Sequence, residues 1–285
     1  MGMVIFRNDA LCDKRGDSIQ SRQIMSWRKM ITCGISEISA LARRHSKPSK
    51  GLRILLYHAI GTKTNDDHKN LFCLSSRLFE KHMAELACRD SSVAIPLNNV
   101  ISMKQMEGVV ITFDDGYKDN LSVAAPILDK YKIPFTVFAT TSHIRRGSFP
   151  FLNEAELRVL SANPLVTIGS HGVTHIPLTE CDDRELQNEL ESSKHYIEDL
   201  TGKEITMISY PHGCVDKRVR DAVEKAGYRL GASSYFGINN SSSDLFKLFR
   251  TCILGCDSLR IFGQKLHGDW DWYRWRQYLS MQRRS

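Results

Sequence analysis

Short apolar runs alternate with longer amphipathic segments from residue 52 to residue 253. An unbroken apolar run of about four to eight residues is typical of a strand that is buried on both faces. Apolar residues at three- and four-residue steps indicate a helix with one buried face. The pattern predicts strands at 52–57, 109–113, 134–139, 166–169, 206–210, 229–232 and 248–253, and helices at 75–86, 120–131, 153–161, 182–200 and 215–226. This alternation predicts an α/β fold, either a parallel-stranded barrel or a doubly wound sheet.

Both ends of the chain carry a helical pattern outside this alternation. Between Ile24 and Arg44 the apolar residues recur at helical steps, which predicts an N-terminal amphipathic helix. Basic residues beside it favour peripheral attachment to a membrane, whereas packing on the protein's own surface is the commoner fate of such a helix. We therefore predict an N-terminal extension over 1–50 and a main domain over 51–285, which closes with a helix at 259–278.

Composition and charge narrow the classes of function. The 285 residues are 42% hydrophobic and carry a net charge of +7, which suits an ordinary globular protein. The positive charge lies at the two ends, without a dense basic run, so no nucleic-acid partner is predicted. The eight cysteines are scattered and form no CxxC pair, which is typical of reduced thiols. Without a secretory pattern or a long apolar span, a cytoplasmic location is expected, where the basic helix could attach to a membrane surface.

The candidate chemistry begins at the end of the second predicted strand, in the stretch VVITFDDGY. Asp114 and Asp115 follow the apolar run directly, and Gly116 allows a turn. Adjacent residues that leave a strand point in different directions, so one carboxylate can face a metal and the other a substrate. The alternative is an ordinary loop in which an aspartate caps the next helix.

Polar residues also follow two later strands. His171 and His175 follow the strand at 166–169, and the sequence Tyr-Pro-His-Gly ends at Gly213, after the strand at 206–210. Because the carboxyl ends of parallel strands share one face, these groups are expected to meet there. A short helical turn would bring both imidazoles to one side. Two histidines and a carboxylate form a three-ligand set for Zn²⁺ or a similar ion, with one position left for water.

The motifs TFDDGY, SHGVTH and SYPHG stand in an order that resembles the polysaccharide deacetylase family with the NodB homology domain. The resemblance runs from about Arg53 to about Gly268. It implies a distorted, incomplete (β/α) barrel of the seven-stranded type and a divalent metal, with zinc as the expected ion. It also implies that the protein is a hydrolase that removes an N-acetyl group, or in some members an O-acetyl group, from a sugar.

The resemblance also assigns roles. Asp114 would be the catalytic base, and Asp115 would bind the metal together with His171 and His175. The backbone N–H of His212, the residue after Pro211, would hold the oxyanion. The last assignment needs only a main-chain donor, so it does not depend on the type of side chain at this position.

Two roles lack their usual residue in this chain. Many members carry an arginine near the proline of the third motif, and Ser209 precedes Tyr210 there instead. Arg250 could supply this charge, or it could pair with a surface carboxylate. The general acid is usually a histidine in a late Leu-x-His motif; this chain offers His267 in KLHGD, on a helical pattern, and His58 after the first strand.

The substrate contacts and the substrate itself are less specific in the sequence. Tyr117 and Tyr210 could stack on a sugar ring or simply fill the mouth of the barrel, and Pro211 and His58 are expected nearby. We expect the partner to be an acetylated carbohydrate or a glycan precursor. Two alternatives are a catalytically inactive carbohydrate-binding protein on the same scaffold and a metal-dependent hydrolase of another bond, such as a phosphoester.

Overall fold

The computed structural model describes most of the chain in two compact units. The described residues are 34–41, 50–64, 67, 70–89, 94–104 and 106–282. Residues 51–259 form the larger unit, and the described residues of 1–50 group with 260–282 in the smaller one. The predicted boundary at residue 50 stays a prediction, because the C-terminal segment was expected in the main domain.

A parallel sheet of seven strands forms the larger unit. Its strands run in the order β8-β7-β6-β5-β4-β1-β9, every adjacent pair is parallel, and the sheet curls into a half-barrel. The strands are β1 (Leu52–Tyr57), β4 (Gly108–Phe113), β5 (Phe135–Ala139), β6 (Val166–Ser170), β7 (Met207–Ser209), β8 (Leu230–Ala232) and β9 (Thr251–Cys252). A second sheet pairs β2 (Ala59–Ile60) with β3 (Cys73–Leu74). The predicted incomplete (β/α) barrel is thus confirmed.

Helices follow most of the strands, and those of the larger unit cover the outside of the half-barrel. They are α1 (Ser76–Arg89), α2 (Ala125–Tyr131), α3 (Thr141–Arg146), α4 (Glu154–Ala162), α5 (Asp183–Thr201), α6 (Lys217–Lys225), α7 (Leu259–His267) and α8 (Tyr273–Gln282). Capping boxes fix the start of two of them. Asn153 and Glu156 exchange side-chain and backbone hydrogen bonds at α4, and Asp182 and Glu185 do so at α5.

The core lies where the apolar strands meet inside the half-barrel. All six residues of β1 are buried, as expected for a strand with neighbours on both sides. Phe138 packs against Gly169 on the adjacent strand, where a Cβ atom would come within 2.5 Å of the aromatic ring. This rigid interior orients the carboxyl ends of the strands, where the predicted site residues lie.

Three predicted elements differ in detail. The predicted helix at 120–131 begins with a π-helical turn, Asn120–Ala124, and becomes α-helical at Ala125, because Pro126 lacks the N–H that an earlier α-helical start would need. The single helix predicted at 259–278 is wrong: α7 and α8 are separated around Gly268, whose φ is 100°. The strand predicted at 248–253 is regular only over Thr251–Cys252.

The smaller unit contains part of the predicted N-terminal helix. Residues 34–41 are helical, and the remainder of the predicted span 24–44 lies outside the described residues. Ile38 and Leu41 are exposed on it. Among the described helices, none is long and apolar enough to cross a bilayer. Peripheral attachment through this helix stays a prediction, which co-sedimentation with anionic lipid vesicles would test.

Candidate metal and catalytic site

Asp114, the first residue after β4, is bound by an arginine that lies 136 residues later in the chain. Nη1 of Arg250 donates to Oδ1 at 2.8 Å, and Nη2 donates to Oδ2 at 2.7 Å. Ser209 at the end of β7 donates to Oδ2 at 3.0 Å and accepts from Nη2 at 2.7 Å. The N–H on Nε of the guanidinium donates to the carbonyl of Ser233. A two-pronged contact of this kind fixes both the position and the plane of the carboxylate.

Both members of this pair are buried. Arg250 is fully buried and Asp114 is 3% exposed. Burial raises the pKa of Asp114, but the positive charge of Arg250 and the nearby ring of His171 outweigh it, so the pKa lies below its ordinary value. Asp114 is therefore kept ionised as a proton acceptor. The structure places Arg250 on Asp114, rather than on a surface carboxylate.

Asp115 turns away from its neighbour, towards two histidines. Its backbone is left-handed, with φ of 72°, which sends the side chain in a different direction from that of Asp114. Oδ1 lies 3.1 Å from Nε2 of His175 and 3.4 Å from Nε2 of His171. Burial raises the pKa of Asp115, yet the rings of His175 and His171 outweigh it and hold the pKa well below its usual range.

The segment that carries the two histidines is not helical, and the predicted helical turn is wrong. Gly172 has φ of 75° and His175 has φ of 64°, so two residues of the segment 171–175 have a left-handed backbone conformation. The irregular path still brings both Nε2 atoms to Asp115. Glu189 on α5 accepts hydrogen bonds from Val173 and Thr174, which lie between the histidines.

These three side chains suit a divalent cation. Their ligand atoms lie within 4.8 Å of one another, and they are the only cluster of three or more metal-binding side chains among the described residues. Nδ1 of His171 lies 2.8 Å from the carbonyl of Ser209, which can only accept a hydrogen bond, so a neutral imidazole at this position would present Nε2 as an acceptor towards Asp115. Oδ1 of Asp115 is buried and has no hydrogen-bond partner among the described residues. Converging acceptor atoms of this kind fit a metal ion.

The pKa of His175 reflects the same excess of negative charge. Burial lowers this pKa, but Asp115, Asp114 and Glu189 together outweigh burial, so the pKa lies above its ordinary value. His175 is also the most accessible of the three ligands, with 28% of its side chain exposed. The site therefore opens to solvent on the side of His175.

The third motif forms a tight turn after β7. His212 is left-handed, with φ of 58°, and its Nε2 lies 3.1 Å from the carbonyl of His175. The side chain of His212 thus supports the backbone of a predicted ligand, a contact that the sequence did not indicate. Tyr210 is fully buried and donates to the carbonyl of Phe246, so it fills the interior, and the expectation that it stacks on a sugar is wrong. Pro211 is buried next to it.

The two candidate general acids lie in different units. His58, directly after β1, is 8% exposed, and its buried Nδ1 has no hydrogen-bond partner among the described residues. Burial lowers the pKa of His58, whereas Asp115 and Asp114 act to raise it, and the net shift is downward. His267 ends α7 in the smaller unit, where its Nδ1 lies 2.9 Å from Asp269.

A group of stacked aromatic side chains begins at Tyr117, directly after Gly116. Tyr117 pairs with Phe151 in an isolated antiparallel bridge, and the two rings are 5.0 Å apart. His143 stacks on Phe151 at 3.9 Å and lies 6.2 Å from the ring of His175. Burial lowers the pKa of His143 to about 4, so this ring is neutral. Neither His143 nor Phe151 belongs to a motif, so the sequence did not indicate either residue.

Sequence comparisons agree with this geometry. The family model for polysaccharide deacetylase matches residues 103–231. The chain is 30% identical to YxkH of Bacillus subtilis (strain 168) over 209 residues, which are 72% of this chain and 71% of that protein, whose name as a polysaccharide deacetylase is itself an inference. It is 26% identical to a poly-beta-1,6-N-acetyl-D-glucosamine N-deacetylase of Staphylococcus aureus (strain MSSA476), over 69% of this chain and 72% of that relative.

Solved structures share the fold at lower identity. The deacetylase PplD of Streptococcus pyogenes, in complex with acetate, superposes with a TM-score of 0.68 at 24% identity, over 77% of this chain and 99% of that one. IcaB from Ammonifex degensii superposes with a TM-score of 0.64 at 17% identity, over 78% of this chain and 98% of that one. These likenesses support the half-barrel fold.

Proposed function

This chain belongs to the polysaccharide deacetylase family, and from that membership we propose that it hydrolyses an N-acetyl group on a sugar of a polysaccharide, an oligosaccharide or a glycan precursor. The observation that carries the proposal is the pair Asp114 and Asp115: one carboxylate is held ionised by Arg250, and the other faces two histidine nitrogens. The name of the Staphylococcus aureus relative supports an N-acetylated sugar as the substrate class.

We propose Asp115, His171 and His175 as the ligands of a divalent metal, with Zn²⁺ as the expected ion. When bound, such an ion lowers the pKa of water and polarises the acetyl carbonyl. The support is the convergence of the three ligand atoms, together with the unpartnered Oδ1 of Asp115. Asp115 and His171 are buried, so the protein holds these two metal-binding side chains in place before a metal ion or a substrate binds.

Asp114 would act as the general base that removes the proton of the attacking water. Its carboxylate lies next to the ligand set, since Oδ2 is 3.9 Å from Nε2 of His171. Arg250 and Ser209 would keep it ionised and correctly oriented. The backbone N–H of His212 is proposed to hold the oxyanion as the carbonyl becomes tetrahedral. Tyr117 is proposed to contact the sugar, because it follows the Asp-Asp-Gly turn directly.

We favour His58 over His267 as the acid that protonates the departing amine. His58 is buried near Asp114 and Asp115, and its Nδ1 is unpartnered among the described residues. Its ring is neutral in the free protein, since burial lowers its pKa. It would therefore take up the proton that Asp114 removes from the attacking water and pass it to the departing amine.

Substitution of His58 tests this assignment. His58→Gln is expected to lower kcat by about 100-fold or more, as for loss of a general acid, and to leave metal affinity unchanged. His267→Gln serves as the comparison. If the two variants exchange these outcomes, His267 is the acid and His58 only packs in the site.

Two alternatives have less support. A catalytically inactive binding protein would not need a buried arginine that orients Asp114. A phosphoesterase with two metals would need a second ligand set, and the described residues contain one cluster. The experiment that decides is acetate release from a panel of N-acetylated glycans and sugar-lipid precursors, with and without a chelator. Acetate release that a chelator abolishes supports the proposal, and no release from any acetylated sugar contradicts it.

A further inference from the structure

Glu189 lies in the middle of α5 and is nearly fully buried, with 3% exposure. A buried carboxylate is costly unless its charge is satisfied by hydrogen bonds or by a cation. Among the described residues, no lysine or arginine forms an ion pair with it. The buried negative charge must therefore be stabilised by hydrogen-bond donors, and the residues that carry these donors are the ones that Glu189 holds in place.

All of those donors belong to the three residues between His171 and His175. Oε2 accepts from the backbone N–H of Val173 at 2.6 Å and from that of Thr174 at 3.1 Å. Oε1 accepts from the hydroxyl of Thr174 at 2.6 Å and from its N–H at 3.2 Å. Hydrogen bonds to an ionised acceptor are about twice as strong as neutral ones, so these contacts fix the loop firmly.

The loop is shaped to receive this carboxylate. A Cβ atom on Gly172 would lie 2.8 Å from Oε2 of Glu189, and the left-handed φ of 75° also favours glycine. One helical turn further on, Ser193 bonds to Ser170 at 2.7 Å, and the hydroxyl of Ser170 accepts from the N–H of Gly172. Helix α5 therefore supports the loop both before and after Gly172.

We propose that Glu189 is a positioning residue for the metal-binding loop. It sets His175 relative to His171 so that both Nε2 atoms face Asp115, and it thereby raises the affinity for the metal. This inference rests on the proposed function, from which it takes the three ligands. Glu189 touches neither metal nor substrate, and it acts through the backbone between two ligands, as residues behind a metal site commonly do.

The test is the affinity of the purified, chelator-treated protein for Zn²⁺, measured by competition with a chromogenic chelator. Glu189→Gln preserves the size of the side chain but replaces one acceptor oxygen with an NH₂ group, which opposes the N–H donors of the loop. It is expected to weaken Zn²⁺ binding by about 10- to 100-fold, the usual cost of losing such a supporting contact. Glu191→Gln, the same change at a more exposed position of α5, should bind as the unaltered chain does.

A second variant keeps the test decisive if Glu189→Gln does not fold. Thr174→Val removes only the hydroxyl donor of an exposed residue, and a net loss of about two- to tenfold in Zn²⁺ affinity is expected from a single hydrogen bond. Wild-type affinity in Thr174→Val and in any folded Glu189→Gln would overturn the positioning role. Failure of the unaltered chain to bind Zn²⁺, Co²⁺ or Ni²⁺ is a different result, which overturns the proposed ligand set itself.

Discussion

The surroundings of Asp114 and those of Asp115 differ more than their adjacency in the chain suggests. Both oxygens of Asp114 accept from Arg250, and Ser209 adds a third hydrogen bond. Oδ1 of Asp115 has no hydrogen-bond partner among the described residues, and it faces two imidazoles. The Asp114 carboxylate thus finds its cation and its hydrogen bonds within the protein, whereas the geometry around the Asp115 carboxylate fits a cation that the protein does not supply.

The negative charges of the two carboxylates are therefore balanced in different ways within one site. The protein supplies its own cation to Asp114, so the charge and orientation of this carboxylate do not depend on any ligand. The Asp115 region instead carries an excess of negative charge, which outweighs burial and raises the pKa of His175 above its ordinary value. Changes on the Asp114 side should therefore affect turnover, and changes on the Asp115 side should affect metal binding.

Asp114→Asn should give the largest effect and should confine it to turnover. An amide cannot accept the proton of water, so acetate release should fall by about 100- to 10,000-fold, the range for loss of a general base. Metal content should stay at the level of the unaltered chain. Asp199→Asn, on the exposed face of α5, is the control. Full activity in Asp114→Asn would falsify the assignment of the base.

His175→Ala should show the opposite pattern. Loss of a direct ligand should weaken Zn²⁺ binding by more than about 100-fold, because losing a supporting contact alone costs about 10- to 100-fold. The fold should survive, since 28% of this side chain is already exposed. Metal titration and far-ultraviolet circular dichroism check the two expectations. Unchanged Zn²⁺ affinity would remove His175 from the ligand set.

Arg250→Lys should give the smallest effect of the three, again on turnover. Lysine retains the charge but cannot make the two-pronged contact. Hydrogen bonds to charged groups contribute about 1.5–3 kcal/mol each, so kcat should fall by about 10- to 100-fold. Zn²⁺ affinity should not change. A variant that loses metal and retains its kcat at saturating Zn²⁺ would show that Arg250 supports the other region instead.

Local sequence patterns predicted the strands, the helices and the identity of the facing groups at the strand ends. Asp115, His171 and His175 were predicted as ligands because each lies soon after an apolar run, and parallel strands end at one edge. The path between the two histidines was not predictable in this way. A four-residue spacing favours a helical turn, but Gly172 and His175 both have left-handed φ values and the segment between them is not helical.

The sequence also did not predict which residues contact each other when they lie far apart in the chain. The sequence offered Arg250 only as one of two possibilities, because hydrophobic periodicity carries no information on which charged groups meet. The same holds for Tyr210: its burial depends on the hydrogen bond to Phe246, 36 residues away. His143 and Phe151 belong to no motif, and only their stacking identifies them.

The contact between Asp114 and Arg250 also has a consequence for how the protein is made. During synthesis, residues 114 to 175 emerge together, so all three proposed ligands are present well before Arg250. Arg250 follows about 75 residues later, which corresponds to roughly 4 to 15 s at about 5–20 residues per second. Until then Asp114 lacks the guanidinium that binds both of its oxygens. The arrangement around Asp114 can therefore be completed only after Arg250, which directly precedes β9, has been made.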